Sequence, residues 1–301
     1  MKYANAARFR RALEDRLLNL SRTGPVPLAR LRKRTAFDRL LARLAADDSE
    51  RWLLKGASAL DFRFGEQVRG TRDLDLSHPG DAHAITDIVM QIEDSLLDDY
   101  FAFAIQPTSK LEPLGGVAIR FQVQADLAGR RFEDFHIDVG VESEPVIVPD
   151  ILSGPDFLSF ADILPAVVPV IAIEQHIAEK VVAYVRIYQG QRRSSRVKDL
   201  VDLVLIQSLT DVNARQLRHA LDVTFRVRDD ILLPTSFPPP PEYWDQPYKR
   251  MASEVRIDPG LATGYRVAAT FLDPVLGEVA GGDAVWDPKR GVWLPGVSPT
   301  T

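Results

Sequence analysis

Two aspartates, Asp73 and Asp75, stand two residues apart in Thr71-Arg72-Asp73-Leu74-Asp75-Leu76. In an extended strand that spacing puts both carboxylates on one face and Leu74 and Leu76 on the other. Like charges held that close repel, so the pair favours a cation between them, and its hard oxygen donors suit a divalent metal. Upstream, Lys55-Gly56-Ala57-Ser58 reads as a glycine-serine turn at a helix start. There, backbone N–H groups and a hydroxyl face an anion such as a triphosphate. Downstream, Asp138 in Phe135-His136-Ile137-Asp138-Val139 is an acid in an apolar strand and the best-placed third metal ligand, expected to converge on Asp73 and Asp75. If it faces away, Glu133 or Asp134 takes its place. Metals held this way would align an acceptor hydroxyl, an α-phosphate and a leaving pyrophosphate, lowering the barrier chiefly by electrostatics. Each piece alone is commonplace, a wet strand face or a surface acid; their order along the chain is what carries meaning.

A second constellation lies further on. Lys180 sits in Glu174-Gln175-His176-Ile177-Ala178-Glu179-Lys180, and after a loop with Arg192, Arg193 and Arg196 comes Lys198-Asp199-Leu200-Val201-Asp202-Leu203. Asp199 and Asp202 share a helical face near its N-terminus, where carboxylates are favoured. Taken singly, Lys180 reads equally as an exposed helix lysine and Asp199 as a cap. Asp202 does not, because Val201, Leu203 and Val204 flank it; a charge there needs a partner, and Lys180 or Arg196 can supply one.

The elements that must position these residues follow from periodicity. Phe9, Leu13, Leu17, Leu18 and Leu20 make one helical stripe, and Leu28, Leu31, Phe37, Leu40, Leu41 and Leu44 another after Pro25 and Pro27. A short strand is expected at 51–54, a short helix around 57–62, a strand at 71–77 and a helix at 81–98. Strands are expected at 100–105, 117–127 and 131–139, the last two joined by a tight turn at Ala128-Gly129-Arg130. Proline-rich connections fill 145–169. Helices at 173–188, 198–208, 214–227, 247–256 and 261–271 precede an irregular tail with Trp286 and Trp293. The pattern is a mixed α/β half followed by an all-α half, hinged near residue 165.

Composition excludes several classes. The 301 residues are 46% hydrophobic and 26% charged, as in ordinary globular proteins rather than disordered ones. The longest apolar stretch, Ile163 to Ile173, is broken by Pro165 and Pro169, and the N-terminus carries arginines instead of a signal core, so a cytoplasmic protein without a membrane span is expected. There is no cysteine, hence no thiolate site, and the five histidines form no zinc-binding pair. Residues 1–46 hold twelve Lys or Arg against three acids, net +9, so the remainder of a chain of net −5 carries −14. A basic lobe on an acidic body suggests a polyanionic partner, with Arg30, Arg32 and Arg34 expected on the outer face; solvated helices would look the same from charge alone.

Lys55-Gly56-Ala57-Ser58-Ala59-Leu60, Arg69-Gly70-Thr71-Arg72-Asp73-Leu74-Asp75, Ala178-Glu179-Lys180 and Arg196-Val197-Lys198-Asp199-Leu200-Val201-Asp202-Leu203, in that order, resemble the AbiEii/AbiGii-type nucleotidyltransferase toxins, a group that includes the mycobacterial MenT toxins. By motif the resemblance covers roughly residues 50 to 205. It implies an α+β fold, with a polymerase-β-like core and mixed sheet in residues 1–165 and a mainly helical domain, 166–301, completing the active site. It implies an NTP substrate, Mg²⁺ or Mn²⁺, a paired antitoxin of the winged-helix regulator type, and a tRNA acceptor modified at its 3′ end. Carried over by motif, Asp73, Asp75, Lys180 and Asp202 are the catalytic set. Asp73 and Asp75, with Asp138, are the metal ligands. Gly56 and Ser58 hold phosphate, in a nucleotide-binding set with Lys55, Thr71, Arg72, Arg196, Lys198 and Asp199. Two positions depart from the family pattern: Ala57 stands where a second glycine is common, and Lys198 where arginine is, which removes a bidentate contact.

Two other readings compete. One is a nucleotidyltransferase acting on a small molecule or a protein hydroxyl; the basic lobe favours RNA over it, since a small acceptor needs no such surface. The other is a non-catalytic nucleotide- or RNA-binding module, against which the crowded acids argue.

Overall fold

The computed structural model describes every residue except 1, 49–50, 112–116, 142–144, 187–195, 228–231 and 297–301. It divides into two compact units, one of residues 1–145 and 149–171, the other of residues 146–148 and 172–301. The change of unit falls after Ile171 rather than near 165, because Val167–Val170 is a strand paired into the first unit's sheet.

In the first unit, α1 (Ala6–Thr23) and α2 (Leu28–Asp48) precede β1 (Leu53–Leu54), α3 (Gly56–Phe64), β2 (Asp73–His78) and α4 (Ala82–Gln91). Then come β3 (Phe101–Leu111), β4 (Val117–Leu127), β5 (Arg130–Val141), β6 (Asp150–Ser153) and β7 (Val167–Val170). Asn5 caps α1 and Asp81 caps α4 through their side chains, leaving fewer orphan N–H groups at each start. The seven strands form one mixed sheet in the order β3-β4-β5-β2-β1-β7-β6. β2 runs parallel to β5 and β1 to β7; the other pairs are antiparallel.

Strand alternation splits this sheet by chemistry. Leu74, Leu76, Phe121, Val123, Ile137 and Val139 are buried in the core with the apolar stripes of α1 and α2. The opposite face carries Asp73, Asp75, Arg120, Gln122, Gln124, His136 and Asp138, none of them buried. Two strands, β6 and β7, escape periodicity. Pro169 lies inside β7, opposite Ile151 of β6, and β1 pairs with β7 only at the next residue, Val170.

The basic residues of α1 and α2 do not form the expected outer surface. Arg10 donates to the carbonyls of Leu127, Arg130 and Arg131, fastening the β4–β5 turn. Arg30 and Arg34 both engage the buried carboxylate of Asp61. Arg32 donates to the Phe132 carbonyl and lies over that ring, and Lys33 reaches Asp134 O and Glu133. Arg39 pairs with Asp38 and Leu164 O. Arg43, buried, holds Asp99 at 2.8 and 2.9 Å and the Phe101 carbonyl. These cations satisfy carbonyls and acids that packing would otherwise strand. Lys2, Arg8, Arg11, Arg16 and Arg22 remain exposed. Reversing charge at Arg30, Arg32 and Arg34 together is therefore expected to unfold the protein or cost more than about 3–5 kcal/mol, since acids would face Asp61 uncompensated. The same reversal at Arg8, Arg11 and Arg22 is expected to stay within about 0.5 kcal/mol. Urea melts of both variants check this; equal midpoints would contradict it.

The second unit opens with α5 (Ile173–Val185) and α6 (Val197–Leu209), then β8 (Val212–Asn213), α7 (Ala214–Val227), α8 (Asp245–Glu254), α9 (Leu261–Leu276), β9 (Val285–Asp287) and β10 (Val292–Leu294). The tail is ordered into the small sheet β10-β9-β8, with Trp286 and Trp293 packed on Phe271. Among the described residues, no helix is long and apolar enough to cross a membrane.

Candidate active site

Gly56 and Asp75 meet directly. Gly56 has φ +56°, in the left-handed region, and a side chain there would overlap Asp75 Oδ2. Only glycine allows the start of α3 to lie against this carboxylate. The Lys55 N–H donates to Asp75 O at 2.9 Å, and Ser58 locks the same register: its Oγ donates to Lys55 O at 2.8 Å and accepts from the Asp75 N–H at 3.0 Å. The Ser58 hydroxyl is thus buried and ties the start of α3 to β2. Lys55 is also buried, whereas Arg72 is exposed. Thr71 Oγ1 donates to Asp73 O at the start of β2. Gly56→Ala is expected to cost about 1–2 kcal/mol through the left-handed backbone and to lower catalysis by displacing the Asp75 carboxylate; denaturation and transfer assays on one preparation measure both.

Asp73 and Asp75 share the open face of β2, as their spacing requires. Register places Asp138 on β5 directly beside Asp75, and His136 beside Asp73. Adjacent parallel strands in register point equivalent side chains the same way, so all three acids lie on one face. They do not close into a three-ligand cluster: among the described residues, no group of three His, Cys, Asp or Glu side chains is arranged to hold a metal. Asp138 instead grips Arg120 of β4, with Arg120 Nε to Oδ1 at 2.7 Å and Nη2 to Oδ2 at 2.6 Å. Those bonds hold the Arg120 guanidinium above the ordinary arginine range, and the charges of Asp138, Asp73 and Asp75 add to the effect. His136 Nδ1 lies 3.6 Å from Asp73 Oδ1. Neither Arg120 nor His136 is evident as a site residue from motifs. The His-x-Asp alternation of Phe135-His136-Ile137-Asp138 puts His136 on the acidic face, but Arg120 is found only through cross-strand register.

Within the helical unit, Lys180 on α5 and Asp202 on α6 are both buried and hydrogen-bonded, Nζ to Oδ2 at 2.7 Å. Lys180 is therefore no exposed helix lysine, and Asp202 has the partner its apolar setting demanded. Asp199 is buried too, 3.5 Å from Lys180 Nζ and 3.7 Å from Arg196 Nη1. Its Oδ2 accepts no hydrogen bond among the described residues. Lys198 is exposed. Arg192 and Arg193 lie outside the described residues.

The family model for "Nucleotidyl transferase AbiEii toxin, Type IV TA system" matches residues 39–270, a span that contains β1–β7 and α5–α8 entire and every residue of these two clusters. The chain belongs to this family. It is a nucleotidyltransferase toxin of a toxin–antitoxin system. No curated protein matches it by sequence. Among solved structures it is similar to MenT4, a nucleotidyltransferase toxin from Mycobacterium tuberculosis H37Rv, at 18% identity, with 90% of this chain and 98% of that chain covered and a TM-score of 0.55.

Proposed function

We propose that this AbiEii toxin transfers a nucleoside monophosphate from an NTP to the 3′ end of tRNA in the cytoplasm, and that the reaction depends on Mg²⁺ or Mn²⁺. The apposition of Gly56 and Asp75 at the start of α3 is the observation that carries the reading. It brings a helix N-terminus, which favours anions, against a carboxylate pair, which favours cations. A metal–triphosphate carries both charges.

The donor set fits such a metal. Asp73 and Asp75 offer hard oxygens from one strand face, with Asp138 alongside in register. When bound, the metal would polarise the α-phosphate and neutralise charge developing on the leaving pyrophosphate. The chain's own groups do the remainder. Lys55 and Ser58 hold β2 against α3, so the carboxylates stay in place without reorganising. Lys180, with Asp202 and Asp199 holding its ammonium inside the helical unit, is carried over by motif as a further member of the catalytic and nucleotide-binding set. The antitoxin partner follows from membership of the family; a winged-helix regulator encoded beside this chain would accord with it.

A second acceptor class has one observation in its favour. Because most cations of α1 and α2 are turned inward, the N-terminal region offers a smaller RNA footprint than its charge implies. A small-molecule or protein hydroxyl then needs less to compete. Incubating the purified protein with total tRNA, Mg²⁺ and each α-labelled NTP decides between them. Label is expected on tRNA from one NTP and lost in EDTA. Label on protein or on a small acceptor would replace tRNA in the reading, and no transfer to any acceptor would remove the enzymatic claim.

A further inference from the structure

Across β2, β5 and β4 the open face of the sheet carries a row: Asp75, then Asp138, then Arg120, each opposite the next in register. Asp73 lies one pleat away on the same face. Three carboxylates thus share a small area, and Arg120 spends a planar, two-bond fork on the middle one. Both Asp138 oxygens are engaged in that fork. The side chains of Arg120 and Asp138 are 36% and 21% exposed, so the pair is reachable by solutes. A divalent cation on Asp75 and Asp138 would therefore meet a fixed positive charge already on one of its ligands.

We propose that Arg120 is the internal counter-cation of this row, and that a divalent metal acquires Asp138 only by displacing it. The proposal rests on the metal-dependent reading given above. While Arg120 is in place, the row is partly neutralised and the sheet needs no metal to be stable. When a metal–triphosphate arrives, the displaced guanidinium finds a new anion in the phosphates, for which its fork is equally suited. Metal and nucleotide should then bind cooperatively, each removing the obstacle to the other. Arg120 is a positioning residue here, acting on metal occupancy through Asp138.

The test uses the full chain and Mn²⁺ alone, with bound metal read by the loss of the free-ion paramagnetic resonance signal. Without nucleotide, Arg120→Gln is expected to bind Mn²⁺ at least about tenfold more tightly than the unaltered protein, the scale of losing a nearby unit charge in partly screened surroundings. Arg120→Lys, which keeps the charge and loses the fork, should fall between the two. Adding Asp138→Asn to Arg120→Gln should abolish the gain. Melting gives a second readout: Arg120→Gln should melt lower in EDTA and recover in Mn²⁺ by more than the unaltered protein does. Mn²⁺ affinity unchanged or weakened in Arg120→Gln, with the unaltered protein still binding, would overturn the proposal and leave the functional reading intact. Absence of Mn²⁺ binding in every form, with NTP present, would overturn both.

Discussion

Lys180→Met is expected to lower the unfolding free energy by about 3–5 kcal/mol, the cost of leaving a buried charge without its partner. Lys180 is 6% exposed and its Nζ lies between two buried acids, Asp202 at 2.7 Å and Asp199 at 3.5 Å. Removing the ammonium leaves those acids repelling one another in the core of α5 and α6. Asp202→Asn should cost distinctly less, because the shape is kept and Lys180 retains Asp199. Combining the two substitutions should recover part of the Lys180→Met loss, because one of the stranded charges is gone. Urea midpoints of the three variants measure this. A Lys180→Met midpoint within about 0.5 kcal/mol of the unaltered protein is the behaviour of a surface lysine and would contradict the buried arrangement.

The same residues show what a sequence discloses. That Asp202 needs a partner follows from its apolar flanks, and Lys180 is one of two candidates on sight. Choosing between Lys180 and Arg196 takes the packing of α5 on α6, a tertiary fact. The carboxylates of Asp73 and Asp75 are legible because a strand has period two, and Gly56 because a glycine-serine turn precedes a helix; that Gly56 lies against Asp75 is a tertiary fact. The bond from the Asp75 N–H to Ser58 Oγ was not legible, since a hydroxyl's partner depends on which N–H the next strand presents.

Charge counts mislead for a related reason. Twelve cations in residues 1–46 look like a polyanion surface. Yet Arg10, Arg32 and Arg43 are drawn to carbonyls at the ends of β3, β4 and β5. Net charge records none of those carbonyls, because the backbone acceptors that need donors are created only when the sheet forms. The proline-bearing strand β7 and the hairpin of β9 and β10 were hidden for the opposite reason. Their local preference is for loop, and pairing with distant strands overrides it.

Asp75→Asn is expected to reduce nucleotide transfer by at least about 10²–10³-fold, the scale for losing one preorganised electrostatic contact with the transition state. The fold should survive. The anchors of β2 at this point are the Asp75 backbone groups, held by Lys55 and Ser58, and asparagine keeps both. Removing one of the three like charges on this face also lowers the repulsion among the acids. Gly56→Ala separates geometry from charge: it keeps all three carboxyl groups but pushes that of Asp75 aside, so activity and stability should fall together. Parallel melts and labelled-NTP assays on the two variants read the difference. If Asp75→Asn transferred nucleotide at the unaltered rate, Asp75 would be a wet residue on a strand face, and the carboxylate row would lose its claim to the chemistry.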